Sequence, residues 1–102
     1  PVVVSVDNST EQLEVDDAVS LEHVPGTDQP WIWVHIADPS RCVTPNSAVD
    51  LLARERVSSI YLPERARDPI TMFPAPLISS SFNLRCDHAN YALSFGIRLR
   101  ED

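Results

Sequence analysis

Acidic side chains cluster near the start of the chain, and a cluster of this kind can bind a divalent cation. The cluster consists of Asp7, Glu14, Asp16 and Asp17, and Glu11 lies between them in the sequence. Carboxylates held close together repel each other, and a bound cation removes that cost. Magnesium binds a few carboxylates together with waters and substrate phosphates, and such a site can cleave phosphodiesters. The alternative interpretation is a solvated acidic loop, because acidic residues are mostly exposed.

A calcium-binding EF-hand fits this segment poorly. Such a loop has glycine at its sixth position and glutamate at its twelfth. Counted from Asp7, those positions hold Gln12 and Ala18. Magnesium therefore remains the cation that the segment favours.

Two predicted strands must position the acidic cluster. The first covers Pro1–Val6 and, being rich in β-branched valine, is expected to be buried. The second covers Val15–Val24. A polar loop over 7–14 joins them, and its two ends approach each other if the strands are neighbours. Asp7 can then come close to Asp16 and Asp17. Because adjacent residues on a strand point to opposite faces, Asp16 and Asp17 share one site only if the chain still bends there.

The rest of the sequence predicts a mainly antiparallel α+β fold with one principal helix. A turn at Pro25–Asp28 joins the second strand to a third over Trp31–Ile36, forming a hairpin. A helix begins after Pro45, with Asn46 or Ser47 as its N-cap. The remaining elements are shorter: a strand over Ser58–Leu62, an irregular stretch over Glu64–Pro76, one helical turn within Leu77–Leu84 and an alternating strand over Tyr91–Leu99.

Composition limits the classes of function. With 102 residues the chain is one small domain, and its net charge of −7, with arginine as the only basic residue type, disfavours phosphate-backbone binding by this surface alone. Cys42 and Cys86 show no metal-site spacing and are expected to be buried. No apolar run approaches the ~20 residues of a membrane span, and the first residues do not resemble a signal peptide. We expect an intracellular protein, in the cytoplasm or an organelle, and a chain that is part of something longer.

Other residues with chemical potential have plainer interpretations. His35 lies in an apolar strand and is expected to pack there rather than bind a metal. Trp31 and Trp33 share one strand face, and core packing is favoured over stacking on RNA. The arginines are expected to form the solvated face of the helix and of the loop that follows it; they are Arg54, Arg56, Arg65 and Arg67.

Six segments in order along the chain resemble the ribonuclease II/R family. Val6–Ala18 resembles the opening motif of that family's RNB catalytic domain, with its "(D/E)(I/L)DDAL" ending. Val34–Pro39 is similar to its "HIAD" strand, and Val43–Asp50 to its "V-P-S-x-D" helix entry. The other matching segments are Ala53–Arg54 with Ser58–Pro63 ("AR…YLP"), Met72–Pro74 ("M(L/F)P") and Ser81–Leu84 ("CSL"). The sequence looks most similar to the cyanobacterial and plastid branch, which implies a chloroplast, a mitochondrion or a phototroph.

This resemblance implies the N-terminal portion, over 1–102, of the RNB domain of a magnesium-dependent 3′-to-5′ exoribonuclease that releases nucleoside 5′-monophosphates. Asp7, Glu14, Asp16 and Asp17 would then be the catalytic acids and metal ligands, and Tyr61 would bind the 3′ end of the RNA. Glu14 departs from the aspartate frequent in the family, and the Asp7–Asp17 spacing is one residue longer.

The resemblance also implies partners and leaves alternatives open. Single-stranded RNA would be the substrate, without a membrane, and the rest of the RNB domain and OB-type RNA-binding domains would complete the protein. The chain on its own is expected to be inactive. The first alternative is a degenerate, non-catalytic RNB-like component of a larger ribonucleoprotein or organellar complex. The second is an unrelated acidic binding module.

Overall fold

A computed structural model describes residues 2–5, 15–65, 68–86 and 88–99 of the chain. Its main feature is a four-stranded antiparallel sheet in which the strands lie in sequence order. The strands are β1 (Val3–Val4), β2 (Asp17–Glu22), β3 (Trp31–Ala37) and β4 (Ala92–Ile97). Two helices, α1 (Ala48–Arg56) and α2 (Ala75–Ser81), lie between β3 and β4 in the sequence. The predicted α+β class is therefore confirmed.

The β2–β3 hairpin follows from a turn that proline and glycine make possible. The amide of Thr27 donates to the carbonyl of Val24 at 3.2 Å, which closes a four-residue turn. Pro25 occupies the second position of the turn, and Gly26, in the third, has a φ of 84°. That pattern is a type II turn, which needs a residue tolerant of positive φ at its third position. The predicted turn is confirmed.

Helix α1 begins where its capping residue predicts. Ser47 has extended backbone, and its hydroxyl oxygen accepts the amide of Asp50 at 3.3 Å, so Ser47 rather than Asn46 is the N-cap. Asp50 in the first turn and Arg54 in the last complement the helix dipole. Helix α2 begins earlier and is longer than the single turn predicted, because Pro76 is compatible with the first turn of a helix.

The two faces of the sheet differ sharply in character. Strand register and alternation place Trp31 and Trp33 on one face, here called the aromatic face, together with Ala18, Ser20, Glu22, His35, Ser94 and Gly96. The opposite face, here called the apolar face, carries Val19, Leu21, Ile32, Val34, Ile36, Leu93, Phe95 and Ile97. Few residues are buried in the described part of the chain: Ala18, Ser20, Ala53, Thr71, Ile78 and Phe82.

Three expectations about burial and extent were wrong. The first strand is short and exposed, with Val3 54% accessible, because β1 is an edge strand that, among the described residues, pairs with β2 alone. Cys42 and Cys86 are exposed free thiols, since both lie in surface connections rather than in packed elements. The predicted strand over Ser58–Leu62 is reduced to one antiparallel bridge between Ile60 and Ile70, because Pro63 begins a short 3₁₀ helix.

Candidate functional site

Asp16 and Asp17 lie where the chain enters β2. Asp17 is the first residue of the strand and stands opposite Ile36 in the register, while Asp16 immediately precedes it. Both residues are exposed. The carbonyl of Asp16 accepts the amide of Ala37 at 2.7 Å, so the backbone here is already tied to the end of β3.

The segment that leads into these two aspartates is held from its other side as well. The amide of Val15 donates to Oδ1 of Asn83 at 2.6 Å, and the amide of Leu84 donates to the carbonyl of Val15 at 2.9 Å. Asn83 and Leu84 follow α2, so this connection and β3 together clamp residues 15–16. The aspartates are therefore exposed side chains on a backbone with a fixed course, which suits a site that must be preorganised.

The β2–β3 pairing does not place the two aspartates on the same face of the sheet. Asp17 belongs to the apolar face with Val19, and alternation directs the preceding residue to the other side. Asp16 lies before the strand begins, and its carbonyl is tied to β3. Their exposed, hard oxygen donors suit Mg²⁺ chemically.

The predicted metal ligands cannot all be located. Asp7 and Glu14 lie outside the described residues, as does the loop predicted over 7–14. Within the described residues, no group of three or more His, Cys, Asp or Glu side chains is placed to hold a metal ion. The four-acid magnesium site therefore stays a prediction.

Asp38 is a third carboxylate at this end of the sheet, and its contacts give it a structural role. It follows β3 and precedes a 3₁₀ helix over Pro39–Arg41, where it accepts both the amide and the hydroxyl of Ser40. Arg41 lies 3.7 Å from its other carboxylate oxygen. An aspartate before a proline is a typical N-cap signal, and Asp38 caps the 3₁₀ helix that follows β3.

Tyr61 is carried by a separate part of the molecule. It directly follows Ile60, whose amide and carbonyl both pair with Ile70, at 2.8 and 3.1 Å. The tyrosine is 59% exposed. A side chain at the base of a loop, with its backbone neighbour fixed and its ring accessible, is suited to contact a ligand. The contact itself stays a prediction.

His35 is a structural histidine, as expected. Its Nε2 lies 2.9 Å from the hydroxyl of Ser20 on β2, and its Nδ1 lies 2.8 Å from the hydroxyl of Ser94 on β4. The imidazole thus joins three neighbouring strands through two hydroxyls that can each donate or accept.

The two tryptophans also make specific contacts on the aromatic face. Their rings stack with centroids 5.9 Å apart. Nε1 of Trp33 donates to Glu22 at 2.8 Å, and the guanidinium of Arg98 lies 5.8 Å from the centre of Trp31. Both residues are half-buried. Both rings therefore contact other groups of the same chain, in agreement with the packing interpretation.

The arginines divide between two roles. Arg54 lies on the exposed surface of α1, where it pairs with Asp50 at 2.9 Å, as expected for a solvated helix face. Arg56, in contrast, donates from Nη1 to the carbonyl of Thr71 at 2.6 Å. Arg67 and the side chain of Arg65 lie outside the described residues.

A cavity of about 620 Å³ lies between the 3₁₀ helix, α1 and the segment at Met72 and Phe73. Its lining is mainly apolar, with Asp50 and Arg54 at its edge. Of the predicted site residues that the structure describes, Asp16, Asp17 and Tyr61, none lines this cavity. Hydrolysis of a charged substrate requires polar groups, which the exposed aspartates and Tyr61 offer and this mainly apolar cavity does not. None of the helices in the described part of the chain has the length and apolar character needed to cross a bilayer.

Comparisons with known proteins agree with the segments found in the sequence. The family model described as "RNB domain" matches residues 2–102. An uncharacterized ribonuclease of Synechocystis sp. is 40% identical over 88 residues, which are 86% of this chain and 13% of that protein. Ribonuclease II, chloroplastic/mitochondrial, of Arabidopsis thaliana is 39% identical over 89 residues, which are 87% of this chain and 11% of that protein.

A solved structure shares the fold. Mycoplasma genitalium RNase R, determined in complex with double-stranded RNA, superposes with a TM-score of 0.80 at 29% identity, over 94% of this chain and 16% of that one. The chain thus spans a small fraction of each relative's length. The family model, the two ribonucleases and the shared fold together show that this chain belongs to the RNB domain family, with the ribonucleases II and R.

Proposed function

We propose that this chain is the N-terminal part of the catalytic domain of a magnesium-dependent 3′-to-5′ exoribonuclease. The substrate is single-stranded RNA and the products are nucleoside 5′-monophosphates. The observation that carries the proposal is the placement of Asp16 and Asp17, exposed on a clamped backbone, in a chain that matches the RNB family over residues 2–102.

Each site residue has a role in this proposal. Asp7, Glu14, Asp16 and Asp17 hold the cation, with Asp7 and Asp17 as its most direct ligands and Glu14 and Asp16 positioning water or a second ion. When bound, magnesium would activate the attacking water and stabilise the leaving oxygen. Tyr61 orients the 3′ end of the RNA near the cleaved phosphate, by stacking or by a hydrogen bond from its hydroxyl.

The rest of the protein must supply what this chain lacks. A net charge of −7 cannot attract a polyanion, whereas RNA binding needs basic and aromatic contacts. We assign those contacts to the remainder of the RNB domain and to flanking OB-type domains. The chain alone is then inactive. We also propose a chloroplast or mitochondrial location, or a phototrophic source, with support from the names of the Arabidopsis and Synechocystis relatives.

The test is an assay of the full-length protein that contains this chain, on single-stranded RNA labelled at its 3′ end, with and without magnesium. We expect the label to appear at once as a 5′-mononucleotide, only when magnesium is present. Asp17→Asn should lower kcat by more than a hundredfold, since removing a direct ligand abolishes much of the metal's effect (~10²-fold or more). Asp28→Asn, at an exposed aspartate in the β2–β3 turn, is the matched control and should change little.

Three results would count against this proposal. Activity that Asp17→Asn leaves unchanged removes the site assignment. Early release of oligonucleotides rather than mononucleotides contradicts an exonuclease. A folded full-length protein that degrades no RNA with magnesium, and that co-purifies with a large assembly, points instead to a non-catalytic RNB-like component of a ribonucleoprotein complex.

A further inference from the structure

In the segment between α1 and α2, an isolated β-bridge brings together two residues that are distant in the sequence. Ile60 and Ile70 pair through both of their backbone groups, at 2.8 and 3.1 Å. The stretch between them is here called the Tyr61 loop (61–69). Tyr61 is its first residue, and residues 61–65 and 68–69 of it are described. The position of Tyr61 therefore depends on how the base of this loop is held.

Two side chains tie the base of the loop to the end of α1. Arg56, the last residue of α1, donates from Nη1 to the carbonyl of Thr71 at 2.6 Å. The hydroxyl of Ser59 accepts the amide of Met72 at 2.9 Å. Thr71 is 7% exposed, so the carbonyl that Arg56 reaches belongs to a buried residue. A guanidinium bond to a carbonyl is charge-assisted and stronger than a bond between neutral groups.

The backbone between these ties is strained. Val57 has a φ of 69° and a ψ of −38°, and the amide of Ser58 donates to the carbonyl of Arg56 at 2.8 Å. This is a γ-turn of positive φ, a rare conformation that is unfavourable for a β-branched residue. Val57 is also 76% exposed, so packing of its side chain does not explain the conformation. Strain of this kind persists only where the surrounding structure enforces it, and it concentrates at functional sites.

The return segment is fixed in turn to the small core. Phe73 follows Met72 and packs edge-to-face against Phe82, with ring centroids 5.0 Å apart. Phe82 is 5% exposed. Arg56 therefore joins the end of α1 to a segment that is itself anchored, and the strained turn directs the chain from α1 into the bridge beside Tyr61.

We propose that Arg56 is a positioning residue for Tyr61: its bond to the Thr71 carbonyl, with that of Ser59 to Met72, fixes the base of the Tyr61 loop and so aims the tyrosine at the RNA. The inference rests on the proposed function, in which Tyr61 contacts the substrate. Arg56 itself touches no reacting atom in this scheme. Its effect on hydrolysis passes through the orientation of Tyr61.

The experiment uses the full-length protein and compares Arg56→Met, Arg56→Lys and Arg54→Met. Methionine keeps much of the stem of Arg56 and removes the donor, whereas lysine keeps one donor. We expect Arg56→Met to lower kcat roughly tenfold to a hundredfold, because a small misplacement of an orienting group has an effect of that order. Arg56→Lys should recover part of the loss. Arg54→Met, two residues earlier on the exposed face of α1, is the matched control and should leave kcat unchanged.

A double-mutant comparison separates positioning from general destabilisation. In a Tyr61→Ala background, Arg56→Met should have little further effect on kcat, because the residue through which it acts is gone. Additive losses of kcat in the double mutant would overturn the inference. A loss of kcat in Arg56→Lys as large as in Arg56→Met, together with a lower unfolding temperature, would also overturn it. Ser59→Ala, with Ser58→Ala as its control, should repeat the pattern in a weaker form.

A second measurement does not depend on activity. Amide hydrogen exchange at Ile60 and Ile70 should accelerate in Arg56→Met and stay unchanged in Arg54→Met. Unchanged exchange would overturn the inference even in an active enzyme. If the wild-type protein hydrolyses no RNA, or if Tyr61→Ala has no effect on an active protein, the proposed function or its Tyr61 assignment fails instead. The exchange result still decides whether Arg56 holds the loop.

Discussion

Gly96 of β4 lies directly against the ring of Trp33 on β3. The two residues are partners in the strand register, and a β-carbon on Gly96 would lie 2.9 Å from Cζ3 and 3.0 Å from Cη2 of Trp33. The ring of Trp31 is nearly as close, at 3.1 Å. The stacked tryptophans therefore occupy the space that a side chain at position 96 would need, which explains why a residue without a side chain stands within β4.

Gly96→Ala is expected to force the indole rings away from the sheet. Overpacking of this kind lowers the free energy of unfolding by about 1–3 kcal/mol. Urea denaturation followed by tryptophan fluorescence measures the loss, and the emission of the native state should shift as the rings move. Trp33→Leu removes the clashing ring atoms, so Gly96→Ala should cost less in that background. An equal cost in both backgrounds would show that the ring of Trp33 is not what excludes the side chain.

His35→Ala should destabilise the sheet through Ser20. The hydroxyl of Ser20 is buried at 6% exposure and would lose its partner, and leaving such a group unsatisfied costs about 1–3 kcal/mol. Ser94→Ala should cost less, because Ser94 is exposed and water can replace its hydroxyl as the partner of Nδ1 of His35. Urea denaturation of both variants gives the comparison. A larger loss of unfolding free energy in Ser94→Ala than in His35→Ala would contradict the role given to the buried Ser20.

The sequence allowed the elements with strong local signals to be predicted. Pro25 and Gly26 determine the β2–β3 turn, and Ser47 marks the start of α1, because turn and capping preferences depend on a few adjacent residues. The alternation over Tyr91–Leu99 likewise located β4. The family could be inferred from short motifs in order, although each motif alone is weak.

Burial and long-range ties could not be predicted in the same way. Apolar Val2, Val3 and Val4 suggested a buried strand, yet burial depends on what packs against a strand and not on its own composition. The helical position of Arg56 predicts a solvated side chain and gives no indication that its guanidinium reaches the carbonyl of Thr71, fifteen residues later. Asp16 and Asp17 were found from the motif, but the clamp at Asn83 that holds them joins distant parts of the sequence.

Stability should depend on the ionisation of Asp50 at acid pH. The amide of Asn46, which donates to Oδ2 of Asp50 at 2.7 Å, and then Arg54 hold the pKa of this carboxyl below its usual range. A lowered folded-state pKa stabilises the protein above the ordinary carboxyl value of about 4, and the stabilisation is lost as pH falls through the folded value. Asp50→Asn should therefore weaken the protein at pH 7 and have a smaller effect below pH of about 3.

Ser47→Ala is the control for that experiment. It removes the other side-chain contact at the start of α1, at a cost of about 1 kcal/mol, without removing a charge. Its effect should be similar at pH 7 and at pH of about 3. Urea midpoints of the wild type and both variants across this range supply the measurement. A constant difference between Asp50→Asn and the wild type would show that the charge of Asp50 is not what stabilises the helix start.

Val57→Gly should stabilise the protein even though it removes a side chain. The residue has a φ of 69°, and a non-glycine residue in such a region costs about 1–3 kcal/mol. Glycine avoids that cost but adds about 0.5–1 kcal/mol of unfolded-state entropy. We therefore expect a net gain of about 1 kcal/mol. Val49→Gly, the same change in the first turn of α1, should instead lose about 0.5–1 kcal/mol, because Val49 has no positive φ to relieve and glycine adds unfolded-state entropy. Opposite signs for these two changes, measured by urea denaturation, would demonstrate the strain. A loss in both would mean that the turn at Val57 is unstrained, and the conformation would then need no enforcement by Arg56.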